Sequence, residues 1–269
     1  MATDADSPRT DAEDDGSRGG SDHQDRPGLG ARAGAAVKET VIVLAMALTL
    51  SFVVKTFLLQ AFYIPSESME NTLLVGDRVI VSKLTPGPLE IERGDVVVFE
   101  DPGDWLGEVQ QANHGAVLNA VRDGLTFVGL LPDTSEGHLI KRVVGLPGDR
   151  VQCCDTEGRM MINGKAVDES AYIKPGVEPS NLEFDITVPR DRVWVMGDNR
   201  DDSADSRFHD PSSTGADGSV PIDKVVGKAE VIVWPFGRFG RLSNHAEAYA
   251  DLPRIRAADD LSGRLVAAR

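Results

Sequence analysis

Ile64-Pro65-Ser66-Glu67-Ser68-Met69 follows directly on a long apolar segment, and its reading decides how the rest of the chain is organised. Pro65 fixes its own φ, lacks a backbone donor and pushes Ile64 into an extended conformation. The chain is therefore expected to leave the apolar segment as a strand. Side chains alternate along a strand, so Ser66 and Ser68 would face the same side. Two hydroxyls on one face could be a nucleophile and an anion-stabilising donor; they could also be two loop serines.

Upstream, Val41 to Val54 runs without a charge, and Thr56 to Ile64 is again largely apolar after Lys55. A helix over residues 38–60 has roughly the twenty residues needed to cross a bilayer, with Lys55 able to extend its ammonium to the interface. A cleaved leader would need small residues before the cut, and Leu59-Gln60-Ala61 puts a leucine where one belongs. The segment reads as an uncleaved anchor. Arg26, Arg32 and Lys38 on one side balance Lys55, Arg78 and Lys83 on the other, so charge does not orient it. Residues 1–37 are rich in Asp, Gly, Ser and Pro, too poor in apolar surface to offset the entropy of ordering, and are expected to be a disordered acidic tail.

The 269-residue chain carries a net charge of −15, which argues against a nucleic-acid binder, since that affinity rests on Lys and Arg at phosphates. Its only two cysteines, Cys153 and Cys154, are adjacent, which excludes a disulfide scaffold and a four-cysteine zinc site. They could form a vicinal disulfide or stay as two thiols.

Beyond Asn71 the chain is a succession of short β-branched runs bounded by Gly, Pro and Asp. Strands are expected at 78–83, 96–99, 139–144, 150–152, 160–162, 186–188, 193–196 and 225–234, with a tight hairpin at Asn163-Gly164. Residues 100–138 break the pattern with Pro102, Trp105 and a predicted helix over 116–131, and read as an insertion on a mainly β domain spanning 61–240. Residues 241–269 read as a polar C-terminal tail.

Four segments stand out in order: Pro65-Ser66-Glu67-Ser68-Met69; Arg93-Gly94-Asp95 with Val96 to Phe99; Lys141-Arg142-Val143-Val144-Gly145-Leu146-Pro147-Gly148-Asp149; and Met196-Gly197-Asp198-Asn199-Arg200 continuing through Ser203, Asp205 and Arg207. This set behind a membrane-length segment resembles the bacterial type I signal peptidases, the leader peptidase family of membrane-bound serine/lysine proteases. The likeness covers roughly residues 45–240. It implies a signal-peptidase-like catalytic β domain behind a single transmembrane helix. By that resemblance Ser68 is the nucleophile, Lys141 its general base, and the Ser66 hydroxyl with the Ser68 N–H the oxyanion hole. Ser203 would orient the lysine amine, and Asp205 and Arg207 would support the site from behind. Asp198, Asn199 and Arg200 look like turn formers. Glu67 stands where the family often has glycine and is expected to face away.

The chemistry asks something specific of each residue. A serine hydroxyl is a weak nucleophile and needs an adjacent base. A lysine, near 10.4 in water, serves as that base only if burial lowers its pKa by about three units. Leu139-Ile140 before Lys141 and Val143-Val144 after it allow this, and alternation lets Lys141 stay dry while Arg142 faces water. The alternative is a solvent-facing strand lysine.

The resemblance further implies secretory preproteins as substrates, cut after small residues at the first and third positions before the bond. Ile64 and Val143-Val144 would form the pocket walls, and Met69 would dip into lipid. Partners would be the bilayer and the neighbourhood of the secretion translocon, with no nucleic acid. The enzyme would sit in the cytoplasmic membrane with its tail cytoplasmic and its catalytic domain outside, and would need no metal or organic cofactor. The Asp-rich 198–205 run lacks the Gly and terminal Glu of an EF-hand. Rival readings are a histidine-based protease using His209, a zinc protease (no His-Glu-x-x-His occurs), a self-cleaving Ser/Lys repressor and a membrane-anchored β module that binds a partner.

Overall fold

The computed structural model describes residues 29–103, 105–107 and 137–253. The predicted 116–131 helix and most of the acidic tail and C-terminal end lie outside those residues. The chain divides into two units, Met1–Met46 and Ala47–Arg269. Helix α1 (Leu29–Phe57) begins in the first and ends in the second. Its stretch Val37–Phe57, 21 residues, is long and apolar enough to cross a membrane. It starts earlier than expected because Ala31, Ala33, Ala35 and Ala36 favour helix strongly. It stops at Phe57 rather than Gln60 because Leu59–Tyr63 is already strand β1, paired with β2 (Arg78–Ser82) from Leu59↔Ser82 to Tyr63↔Arg78.

The second unit is mainly β. Its larger sheet also contains β3 (Val96–Glu100), β4 (His138–Gly145), β9 (Arg192–Met196), β10 (Val220–Pro221) and β11 (Val225–Trp234), in the order β1-β2-β11-β3-β4-β9-β10. A short β12 (Gly240–Arg241) pairs with β11. The smaller sheet runs β7 (Lys165–Ala166), β6 (Met161–Ile162), β5 (Arg150–Cys153), β8 (Phe184–Thr187). Every pairing is antiparallel. The β6–β7 hairpin turns at Asn163 (φ 53) and Gly164 (φ 76), the left-handed pair that Asn-Gly accommodates most readily.

Strand β3 explains the layering. Val96 and Val98 pack with Phe62, Ile64 and Ile140, whereas Val97 and Phe99 pack with Val143, Val195 and Trp105. Alternation sends successive side chains to opposite faces, and both faces are covered, so the strand reads as one unbroken apolar run. Each such fully buried valine or phenylalanine contributes about 1.5–3 kcal/mol. A third cluster around Trp194, Met160, Ile162 and Tyr172 backs the small sheet. Cys153, at the end of β5, is disulfide-bonded to Cys154.

Three expectations need correcting. Met69 is fully buried among Ile64, Leu73 and Val79 and does not reach lipid, because the chain turns inward just after Pro65. Val143 and Val144 are fully buried in two different cores, so neither lines a pocket. Residues 241–253 are no loose tail: Tyr249 and Leu252 pack into the third cluster, with the Tyr249 and Tyr172 hydroxyls 2.7 Å apart.

Candidate active site

The Ser68 segment is not the strand that Pro65 suggested. Strand β1 ends at Tyr63, Ile64 bonds across to Asp77 and Gly76, and residues 66–72 form bends and turns. Glu70 N bonds to Glu67 O and Leu73 N to Met69 O, a tight winding that swings Met69 and Leu73 into the core. Ser66 and Ser68 still share a side, their hydroxyl oxygens 3.4 Å apart. Ser68 is buried and Ser66 exposed. Glu67 lies on the rim of the same cleft rather than away from it.

Lys141 comes from β4, where it pairs with Val97 and is only 4% exposed. Its Nζ stands 2.5 Å from Ser68 Oγ. Burial pulls the amine down from 10.5 to about 8, even though the Asp205, Asp198 and Asp202 carboxylates oppose it; Arg207 adds to the lowering. Neither Lys141 nor Arg142 is wet. Alternation does send Arg142 to the opposite side, but it is fully buried there, its Nε and Nη2 on Asp198 Oδ1 and Oδ2 at 2.8 and 2.7 Å.

The turn after β9 holds Ser68 from the other side. Asn199 N donates to the Ser68 carbonyl at 3.1 Å and Asn199 Nδ2 to the Glu67 carbonyl at 3.2 Å. Thr72 Oγ1 donates to Asp198 Oδ2 at 2.5 Å. Arg200 makes a fully buried pair with Glu169, Nη2 to Oε1 at 2.6 Å. Asp205 and Arg207 pair at 2.8 Å, neither exposed, and Gly197 N donates to Asp205 Oδ2 at 3.0 Å. Burial alone would raise the Asp205 carboxyl, but the hydrogen bonds and charge of Arg207, with the Gly197 N–H, hold it below its usual value.

Ser203 is buried close by. Its hydroxyl makes no hydrogen bond of good geometry among the described residues, although it lies near enough to Asp205 to help hold that carboxylate ionised. It makes no bond to Lys141. A methyl group placed on Gly197 would sit 2.3 Å from Ser203 Oγ and 2.4 Å from Ser68 O, so the two serines crowd the same glycine. His209 points elsewhere, with Nδ1 on the Asp205 carbonyl at 2.9 Å and its ring stacked on Trp105 at 4.3 Å. Among the described residues no group of three or more His, Cys, Asp or Glu could hold a metal.

A cleft runs past Ser68, lined by Phe62, Ile64, Val98 and Ile140 on one side and by Leu139, Trp105 and Leu106 on the other. Thr72, Glu169 and Arg142 were not foreseen as part of the site's frame; only the threonine's place one turn beyond Ser68 hinted at it.

A family model described as "Signal peptidase, peptidase S26" matches residues 37–234. The chain belongs to the signal peptidase family. It is 40% identical over 222 residues to "Signal peptidase I" of Mycobacterium tuberculosis, covering 76% of this chain and 74% of that one. It is 38% identical over 235 residues to "Probable signal peptidase I" of Mycobacterium leprae, covering 77% and 79%. Against "Probable signal peptidase I-2" of Synechocystis the identity is 35% over 204 residues, covering 76% of each. As a family member the enzyme is a serine peptidase, and the candidate membrane-crossing stretch Val37–Phe57 fits a membrane-anchored one.

Proposed function

We propose that the enzyme removes signal peptides from secretory preproteins by acyl-enzyme chemistry on Ser68, with Lys141 as general base. The observation that carries this reading is the 2.5 Å approach of two buried groups, the Lys141 amine and the Ser68 hydroxyl. A neutral amine at that distance accepts the hydroxyl proton as Oγ bonds to the scissile carbonyl carbon. The resulting ammonium passes its proton to the departing amine, and the neutral amine then takes a proton from water to hydrolyse the acyl-enzyme. The Ser66 hydroxyl and the Ser68 N–H stabilise the oxyanion, each such donor being worth about 3 kcal/mol. The buried Asp205–Arg207 pair fixes the wall behind the amine.

The substrate lies as an added strand along Leu139 to Lys141, because β9 pairs with β4 only from Arg142↔Met196 onward. Small side chains at the first and third positions before the cut enter the Phe62–Ile64–Val98–Ile140 side. The bilayer is met by Trp234, Phe236 and Phe239, which are exposed at the Tyr63↔Arg78↔Trp234 end of the sheet. In this reading the acidic tail is cytoplasmic, the catalytic domain lies outside and close to the translocon, and the reaction uses no cofactor.

Purified full-length enzyme in detergent tests the reading against a preprotein. Ser68→Ala and Lys141→Ala should each abolish cleavage while the β domain stays folded by circular dichroism, and His209→Ala should retain it. Cleavage surviving in Lys141→Ala but lost in His209→Ala would transfer the base role to the histidine.

A further inference from the structure

Trp105 and Leu106 belong to the segment that interrupts the β pattern, yet both line the cleft at Ser68. They are firmly held. Asp101 Oδ1 accepts from the N–H groups of Gly103 and Trp105, and Oδ2 from that of Leu106, each at 3.0 Å. The Trp105 ring stands edge-on to Phe99 at 5.8 Å and stacks on His209 at 4.3 Å with an interplanar angle of 12°. Leu106 leaves 38% of its surface exposed, an apolar side chain open to the cleft.

The two sides of the cleft belong to opposite faces of the sheet. Ile140 packs with Phe62, Ile64 and Val98, whereas Leu139 packs with Phe99 and Trp105. Lys141, two residues after Leu139 in β4, projects from the Trp105 face. A hydroxyl attacks a carbonyl from above its plane, and in an extended peptide added to the sheet that plane is roughly the sheet's own. Next to the scissile bond the Trp105 face is thus taken by the reacting groups. The first and third side chains before the cut then point to the Ile140 face, and the second points to the other.

We propose that Trp105 and Leu106 read the second residue before the cut, favouring a large apolar side chain there. This rests on the substrate strand described above. A Leu at that position would cover the Leu106 and Trp105 surface that an Ala leaves wet, and differences of this size in an apolar pocket are worth about tenfold in kcat/KM.

The test uses the full chain in detergent with quenched fluorescent peptides carrying Ala at the first and third positions and either Leu or Ala at the second, together with one that has Val at the third position and Ala at the other two. Wild type should cut the Leu peptide about tenfold faster. In Trp105→Ala and Leu106→Ala that ratio should fall towards one, while the ratio between Val and Ala at the third position stays put. An unchanged second-position ratio in Leu106→Ala, whose side chain is partly exposed and whose loss should not unfold the domain, would overturn the proposal. So would a shift confined to the third position. If wild type cuts none of the peptides and Ser68→Ala still processes preprotein, the underlying catalytic reading fails instead.

Discussion

The Arg142 guanidinium grips both oxygens of Asp198, at 2.8 and 2.7 Å, with neither side chain exposed. The pair fastens β4, which carries Lys141, to the turn whose Asn199 N–H holds the Ser68 carbonyl. Removing one partner leaves the other charge buried and uncompensated, which costs about 3–5 kcal/mol. Asp198→Ala should therefore lower the unfolding free energy by that much in a denaturant titration and abolish activity with it. An unfolding free energy within about 1 kcal/mol of wild type, the scale of an ordinary hydrogen bond, would show the pair to be solvated.

Gly197→Ala is expected to disable the enzyme through geometry. The new methyl would meet Ser203 Oγ at 2.3 Å and the Ser68 carbonyl oxygen at 2.4 Å, and the second is backbone that cannot rotate away. Overpacking of this kind costs about 1–3 kcal/mol, and a displaced nucleophile about a hundredfold in rate. Activity and thermal unfolding measured on one preparation would check both. Wild-type activity would mean that the turn yields.

Because Lys141 must be neutral to act, kcat/KM should climb about tenfold per pH unit below about 8 and level off above it. A flat acidic limb would exclude a lysine base. The same group has a stability consequence of definite sign. Its proton is held less tightly in the folded chain, at about 8, than in the unfolded one, at 10.5, so the charged amine opposes folding throughout the range below about 8. The opposition fades between about 8 and 10.5, as the unfolded chain too gives up its proton. Lys141→Met should consequently be inactive yet more stable at neutral pH, by about 3 kcal/mol, with the gain vanishing in alkali. Denaturant titrations at neutral and alkaline pH measure it, and a variant less stable than wild type at neutral pH would contradict it.

Ser66→Ala and Ser203→Ala separate two roles. Loss of an oxyanion donor at Ser66 should cut kcat by about 10²–10³ with little change in KM. Ser203 lacks a good hydrogen bond and makes none to Lys141, so its removal should leave stability within about 0.5 kcal/mol and kcat within about tenfold of wild type. Single-turnover kinetics on both variants would distinguish them, and equal losses in KM and kcat at Ser66 would point to substrate binding instead.

Much of the fold was legible because β3 and β4 are apolar runs bounded by turn residues, and Asn163-Gly164 forces its hairpin. Ser68 and Lys141 were legible as motifs, and the structure brings their side chains together. What escaped was set by contacts distant in sequence. Nothing near Met69 says that the chain turns inward after Pro65, and nothing near Arg142 says that Asp198, 56 residues on, will bury its charge. The same holds for Glu169 with Arg200 and for Tyr249, whose docking partner Tyr172 lies 77 residues earlier. Alternation along β4 correctly separated Lys141 from Arg142, but it could not reveal that the second face is covered too.

The hold of Asn199 on the Ser68 carbonyl also sets an order of events in biosynthesis. Ser68, just beyond the long apolar helix, is translated more than a hundred residues before the turn that holds its carbonyl and the segment carrying Ser203. A growing chain that has not yet reached Asn199 therefore lacks the clamp on its Ser68 loop, so on the proposed chemistry the site is completed only after most of the β domain has been made.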